Sequence, residues 1–189
     1  MFTWFTKLYL LKLKSDTFDS YLAYEAWLST QHNMKIKCLR SDHGVEYMSE
    51  EFTKYLKSKG TNCHMTVHDM PEHNEVTEQL NRTLAEHVQA MLHASSLLKS
   101  LWGEAMMHAT WLKNCSSTHP LGNKTPYEVL YNKKPDLQKL PVWGCQVKVH
   151  DVTGSKLDMQ AQDSHWVSFD PESDGHHIYC ADCRSISVE

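Results

Sequence analysis

The central feature of the sequence is a strand-to-turn segment, IKCLRSDHGVEY, at residues 36–47. Residues 35–41 mix lysine and arginine with apolar side chains, which predicts a half-exposed β-strand. This strand leads directly into Asp42, and Glu78 follows after 35 intervening residues, in the first turn of the longest helical pattern. Carboxylates at a strand end and on a helix can converge on one divalent cation. Because the chain has 23 Asp and Glu residues, the same spacing also arises between ordinary surface acids.

Strand and helix patterns alternate on both sides of this segment. Strands are predicted at residues 2–13, 35–41 and 62–67. Helices are predicted from Ser15 to Asn33, from Ser49 to Gly60, from Asn74 or Glu75 through Leu92, over residues 100–113, and after a capping box at Thr125. This alternation favours an α/β layer architecture with a partly parallel sheet. Helical periodicity stops near Leu140, and short strand patterns continue to residue 189, which places a domain boundary there.

Length and composition narrow the class of protein. The 189 residues, 41% of them hydrophobic, are enough for one domain and a small appendage. No apolar run is long enough to cross a bilayer, and residues 1–13 lack a small-residue cleavage site, so we expect no membrane partner and no secretion. A nuclear or cytoplasmic location is the expectation. The formal net charge of −4 does not favour strong non-specific DNA binding.

The six cysteines, at positions 38, 63, 115, 145, 180 and 183, are scattered and not dense. A secreted disulfide scaffold is therefore not indicated, and we expect reduced thiols.

Several collinear motifs resemble the integrase of copia-type retrotransposons. Residues 36–47 resemble the family segment IKxLRSDNGGEY, and residues 71–84, PEHNEVTEQLNRTL, resemble PQQNGVAERKNRTL. Further matches are LWGEA (101–105) with WLKN (111–114), KTPYE (124–128) with KP (134–135), and VWGC (142–145) with KLD (156–158). The resemblance covers nearly the whole chain.

The resemblance implies an RNase H-like integrase core over residues 1–135, lacking its first strand or strands, followed by a small SH3-like β module over residues 141–189. It also implies that Asp42 and Glu78 are the second and third of three catalytic acids that bind two Mg²⁺. The first acid of the family would precede Met1 and is not matched. Two acids hold two cations poorly, so we expect magnesium to be an ancestral cofactor and catalysis by this chain alone to be lost.

The helix that carries Glu78 approaches DNA in the family. The resemblance therefore makes Asn74, Gln79, Asn81 and Arg82 candidate nucleic-acid contacts, with Arg82 the best phosphate contact. Arg82 is equally typical of a solvated helix face. Glu75 replaces the family's loop glycine, and its charge should repel phosphates. We expect an integrase remnant with weak or ancestral DNA binding and oligomerisation; the alternative is a non-catalytic module that binds nucleic acid or protein.

Two further patterns invite interpretation. His176, His177, Cys180 and Cys183 have zinc-ligand chemistry, but zinc sites usually combine ligand pairs from two separated knuckles, and these four would come from one hairpin. The tryptophans at positions 102, 111 and 143 are expected to lie in the core rather than to stack on bases.

Overall fold

The computed structural model describes residues 3–41, 44–65, 75–150, 161–170, 173 and 175–189. Within them the helices are α1 (Thr17–His32), α2 (Glu50–Lys59), α3 (Glu75–Ser95), α4 (Trp102–Cys115) and α5 (Pro126–Tyr131). The strands are β1 (Cys38–Ser41), β2 (Asn62–Met65), β3 (Gln146–His150), β4 (Ala161–Phe169), β5 (His176–Cys180) and β6 (Ser185–Val188). None of the described helices is both long and apolar enough to span a membrane.

Contacts divide the chain into two units. The larger unit comprises Met1–Leu8 with Arg82–Glu189, and the smaller unit comprises Tyr9–Asn81. Helix α3 begins in the smaller unit and continues into the larger one. The predicted boundary near Leu140, between residues 1–135 and 141–189, stays a prediction.

An aromatic core holds the smaller unit together. Tyr21 of α1 packs against Phe52 and Leu56 of α2, and Phe52 is fully buried. The ring centroids of Phe18 and Tyr21 each lie 5.0 Å from that of Phe52. Strands β1 and β2 pair in parallel in the same unit, with Cys38 opposite Asn62. Parallel pairing of strands separated by a helix is the local architecture that the alternating pattern predicts.

Local sequence patterns predict four helix ends correctly, whereas the helix start predicted at Ser15 lies in a 3-10 turn ahead of α1. Asn33 and Gly60 end α1 and α2 in the left-handed region, at φ 51° and 70°. Ser49 caps α2, since its side chain accepts a hydrogen bond from the Phe52 N–H. The predicted capping box at Thr125 is confirmed, with reciprocal bonds between Thr125 and Glu128 at 2.8 and 3.0 Å.

The strand predicted over residues 2–13 is wrong for the residues that the structure describes, because residues 3–11 form neither strand nor helix and Trp4 has a φ of 54°. Instead, the Asn114 side chain of α4 forms two hydrogen bonds with the Thr6 backbone. Asn114 Oδ1 accepts from the Thr6 N–H at 2.9 Å, and Asn114 Nδ2 donates to the Thr6 carbonyl at 2.7 Å. The strand predicted at 35–41 is shorter than expected and covers only β1.

An antiparallel sheet with the order β3-β4-β5-β6 packs against α4 in the larger unit. Ala105 and Ala109 of α4 are fully buried, as are Trp166 and Val167 of β4 to within 2%. A register irregularity between Trp166 and Ser168 interrupts the alternation of β4, so three consecutive residues are buried.

Gly144 lies close to the end of α3 in the same unit. It has a φ of +78°, and a Cβ built on it would stand 2.4 Å from Ser95 Cβ. Both the backbone conformation and the close approach therefore require glycine at this position.

The expected core position is wrong for Trp102, which is 52% exposed. Leu101, 6% exposed, is buried at that end of α4 instead. Trp143 is 6% exposed and confirms the prediction, whereas Trp111 is partly buried.

Candidate functional site

The first half of α3 presents polar side chains to solvent. The helix buries Leu84 and Val88, at 4% and 6% exposure, in its second half. Ahead of them even Val76 is 55% exposed. The predicted catalytic acid Glu78 is exposed, and so are the predicted nucleic-acid contacts that the structure describes, Gln79, Asn81 and Arg82. This polar face of α3 is therefore accessible to a partner.

The two acids of the predicted cation site are not both described. Glu78 lies in the first turn of α3, as predicted. Asp42 and Asn74 lie outside the described residues. The convergence of Asp42 and Glu78 therefore stays a prediction.

Magnesium requires several oxygen ligands at one position, and a pair of ions requires more. Among the residues that the structure describes, no three His, Cys, Asp or Glu side chains are grouped so as to hold a metal. Glu78 supplies a single exposed carboxylate. The described residues by themselves therefore do not fit a two-magnesium centre.

The charge along α3 is mixed. Arg82 lies four residues after Glu78 and four before Glu86, and side chains at that spacing are neighbours on a helix. Glu75 adds a third acid to the same helix. An approaching phosphate would meet one arginine among three carboxylates, so any binding through this face would be weak and sensitive to salt.

The four zinc candidates are not assembled as a metal site. Cys180 and Cys183 are bonded to each other as a disulfide. His176 Nδ1 accepts a hydrogen bond from Trp166 Nε1 at 2.9 Å, while His177 contacts carboxylates. The expectation of reduced thiols is wrong for this cysteine pair. The other four cysteines, Cys38, Cys63, Cys115 and Cys145, are free thiols.

A polar cluster that the sequence did not indicate links α4 to the sheet. Glu104 Oε2 accepts from Ser168 Oγ and lies 3.0 Å from His177 Nδ1. The other ring nitrogen of His177 lies 3.3 Å from Asp170 Oδ1. When the ring is protonated, it donates to both carboxylates. Since 64 and 73 residues separate Glu104 from Ser168 and His177, no local pattern could have revealed the cluster.

A buried histidine lies one turn further along α4. His108 is 4% exposed, its ring stacks on Trp111 at 5.9 Å, and Trp166 meets it edge-on at 5.2 Å. Burial lowers the pKa of His108 from 6.5 to about 4. Its imidazole is therefore neutral at physiological pH and serves as part of the aromatic core.

An open cavity of about 280 Å³ adjoins this histidine, and its lining is mainly apolar. Phe5, Trp111 and Phe169 form aromatic walls. Burial raises the pKa of the nearby Cys115 thiol, at the end of α4, to about 11. This thiol is consequently unreactive at neutral pH.

Comparison with known sequences gives two plant relatives. The chain is 36% identical over 173 residues to the retrovirus-related Pol polyprotein from transposon TNT 1-94 of Nicotiana tabacum, covering 90% of this chain and 13% of the polyprotein. It is 31% identical over 144 residues to the retrovirus-related Pol polyprotein from transposon RE2 of Arabidopsis thaliana, covering 76% of this chain and 10% of the polyprotein. The chain thus spans little more than a tenth of the length of these relatives. No protein-family profile matches it.

Comparison with solved structures finds a chain of an intasome with a similar fold. The cryo-EM structure of the simian T-cell lymphotropic virus intasome in complex with PP2A regulatory subunit B56 gamma matches with a TM-score of 0.51 and 18% identity, covering 94% of this chain and 62% of that chain. The HTLV-2 integrase catalytic core domain in complex with magnesium matches with a TM-score of 0.48 and 17% identity, covering 64% of this chain and 71% of that chain. Because the sequence identity is so low, the similarity to the intasome chain supports the fold of this chain and nothing further.

Proposed function

This chain belongs to the family of retrovirus-related Pol polyproteins of plant copia-type transposons, in their integrase segment, and from this premise we propose that it is a non-catalytic nucleic-acid-binding remnant. Its fold is the RNase H-like α/β fold of integrase catalytic cores. Nucleic-acid binding, loss of catalysis and the SH3-like nature of the β3–β6 sheet are parts of the proposal.

The exposed polar face of α3 carries the proposal. Gln79, Asn81 and Arg82 are exposed together with Glu78. Glu78, Asn81 and Arg82 match the integrase motif that the sequence resembles, whereas Gln79 stands where that motif has an arginine. Amide and guanidinium groups donate to phosphate and sugar oxygens without reading the sequence of the bases. A weak contact with the nucleic-acid backbone is the function that such a face supports best.

Loss of catalysis rests on the number of carboxylates. Asp42 and Glu78 match two of the three acids that the integrase family uses, and no group of three possible metal-ligand side chains is found among the described residues. Two divalent ions held by two carboxylates would keep most of their water and would be poorly fixed. A polypeptide made of these 189 residues is therefore expected not to join DNA ends, and magnesium belongs to its ancestry.

A strand-transfer assay on the purified 189-residue polypeptide tests this part. With Mg²⁺ and a labelled donor duplex, the expected yield of joined product equals that of a Glu78→Gln variant. Product formed by the unchanged polypeptide and lost on Glu78→Gln would show that the remaining acids suffice, and the proposal of lost catalysis would be wrong.

Titration with duplex DNA at about 50 and about 200 mM salt tests the binding part. We expect measurable affinity at the lower salt and a loss of affinity at the higher salt, because phosphate contacts release counterions. Arg82→Ala should weaken binding uniformly across DNA sequences and should reduce the slope of log affinity against log salt concentration by about 1. Arg82→Lys, which keeps the positive charge, should retain most of the affinity. No binding at low salt would exclude the nucleic-acid function and leave the alternative, a protein-binding module.

Oligomerisation is proposed on separate grounds. Among the residues that the structure describes, the β1–β2 sheet has two strands, and Asn62, Cys63 and His64 of β2 are exposed. Exposed strand edges readily pair with another chain. Light scattering across a concentration series should show a dimer or a larger species; a monomer at every concentration would contradict this.

A further inference from the structure

The turn between β5 and β6 carries a disulfide that the proposed function does not use. Cys180 ends β5, Cys183 follows after two residues, and their Sγ atoms are bonded. Cys180 is 8% exposed, whereas Cys183 is exposed. A thiol in solution can therefore reach one sulfur of the pair more easily than the other.

Hydrogen bonds distinguish the two sulfurs further. Cys180 Sγ accepts from the Gln162 side-chain amide at 3.1 Å and from the Cys183 backbone N–H at 3.4 Å. Donors of this kind stabilise negative charge on the sulfur that they contact. The Cys180 sulfur is therefore prepared to leave as a thiolate.

We propose that Cys180 and Cys183 form a redox-active site that exchanges with low-molecular-weight thiols of the glutathione class. A thiolate attacks Cys183 Sγ, a new bond forms between the two sulfurs, and the Cys180–Cys183 bond breaks with its electron pair remaining on Cys180. A second thiolate attacks the sulfur of the bound small thiol and releases Cys183 as a thiolate. The two protons lost by the small thiols are taken up by Cys180 and Cys183, so one disulfide is reduced and one is formed.

The site is independent of DNA binding and of the α3 face. The histidines of β5 are engaged elsewhere, in bonds to Trp166 and to carboxylates. The site also differs from the free thiols, of which Cys38 and Cys63 are exposed but have no bonded partner sulfur.

Equilibration of the folded chain in reduced and oxidised glutathione tests the proposal. Samples are quenched with acid, alkylated and mapped by mass spectrometry. We expect the Cys180–Cys183 disulfide to form and to be reduced reversibly without denaturant as the buffer changes, while no second intramolecular disulfide forms. A pair that stays reduced in every buffer, or a disulfide that is reduced only after denaturation, would overturn the proposal.

Variants test the assigned direction of attack. With oxidised glutathione, Cys180→Ser should accumulate a mixed disulfide on Cys183, and Cys183→Ser should form much less on Cys180. Gln162→Leu should slow reduction of the disulfide about fivefold, as loss of one hydrogen bond to the leaving sulfur implies. Gln146→Leu, at an exposed glutamine of β3, is the matched control and should leave the rate unchanged. Equal adducts on both cysteines, or equal rates for both glutamine variants, would refute the roles given to Cys183 and Gln162.

Discussion

Replacement of the buried His108 should make the stability of the chain less dependent on pH. In the folded state the pKa of His108 is lowered from 6.5 to about 4, because its ring is buried against Trp111 and Trp166. The nearest carboxylate on its own helix, Glu104, is engaged by Ser168 and His177. The unfolded chain therefore takes up a proton at this position as the pH falls through 6.5, while the folded chain does not until about 4.

The sign follows from this difference. Between those two values the unfolded state binds more protons, so the free energy of unfolding falls as the pH falls. Between pH 7.5 and pH 5.0, the titration of His108 should lower the free energy of unfolding by about 2 kcal/mol, as calculated from its pKa in the unfolded and folded states.

Urea denaturation at both pH values, followed by tryptophan fluorescence and circular dichroism, measures the effect. The His108→Leu variant removes the titrating group and keeps an apolar side chain in the aromatic core; His108→Gln is a second non-titrating variant. Both should lose about 2 kcal/mol less than the unchanged chain between the two pH values. If all three proteins lose the same stability over this range, the assignment of a neutral, desolvated His108 is refuted.

Three other substitutions have effects that the structure sets. Phe52→Ala, at a fully buried ring, should destabilise by about 3–5 kcal/mol in urea denaturation, with a loss below 1 kcal/mol contradicting the core assignment. Gly144→Ala should lower the thermal midpoint because of its φ of +78° and its approach to Ser95; Ser95→Gly in the same chain should restore only part of the loss. Glu104→Ala should destabilise by about 2 kcal/mol, whereas Glu104→Gln, which keeps an acceptor for Ser168, should cost about half as much; equal losses would show that these hydrogen bonds do not matter.

Local chemistry made the helix ends predictable from sequence. Asn33 and Gly60 tolerate the left-handed conformation, and Ser49 and Thr125 carry side-chain acceptors for free N–H groups. Each of these preferences acts within a few residues. The RNase H-like fold was predictable because the collinear motifs identify a family, and members of a family share a complete fold. The similarity to a solved structure confirms this fold.

Features that depend on distant residues could not be predicted in the same way. Residues 3–11 are mostly apolar and have the composition of a strand, but a strand also requires a neighbouring strand. The side chain of Asn114 in α4 pairs with the Thr6 backbone instead. Whether Trp102 is buried depends on where the core ends along α4. Leu101 is the buried residue at that end, and Trp102 is exposed. For the site, sequence placed Glu78 and Arg82 on α3 correctly, whereas the cluster around Glu104 brings together residues far apart in the chain.

Packing of α4 against β4 limits where this polypeptide can be divided. Ala105 and Ala109 on the helix and Trp166 and Val167 on the strand are buried in the same unit, although the sequence pattern changes between them. A fragment ending near residue 140 would expose the apolar side of the helix and leave the Glu104 carboxylate without its hydrogen-bond donors. Such a fragment would tend to aggregate. In recombination between related transposons, the segments before and after residue 140 should therefore be inherited together.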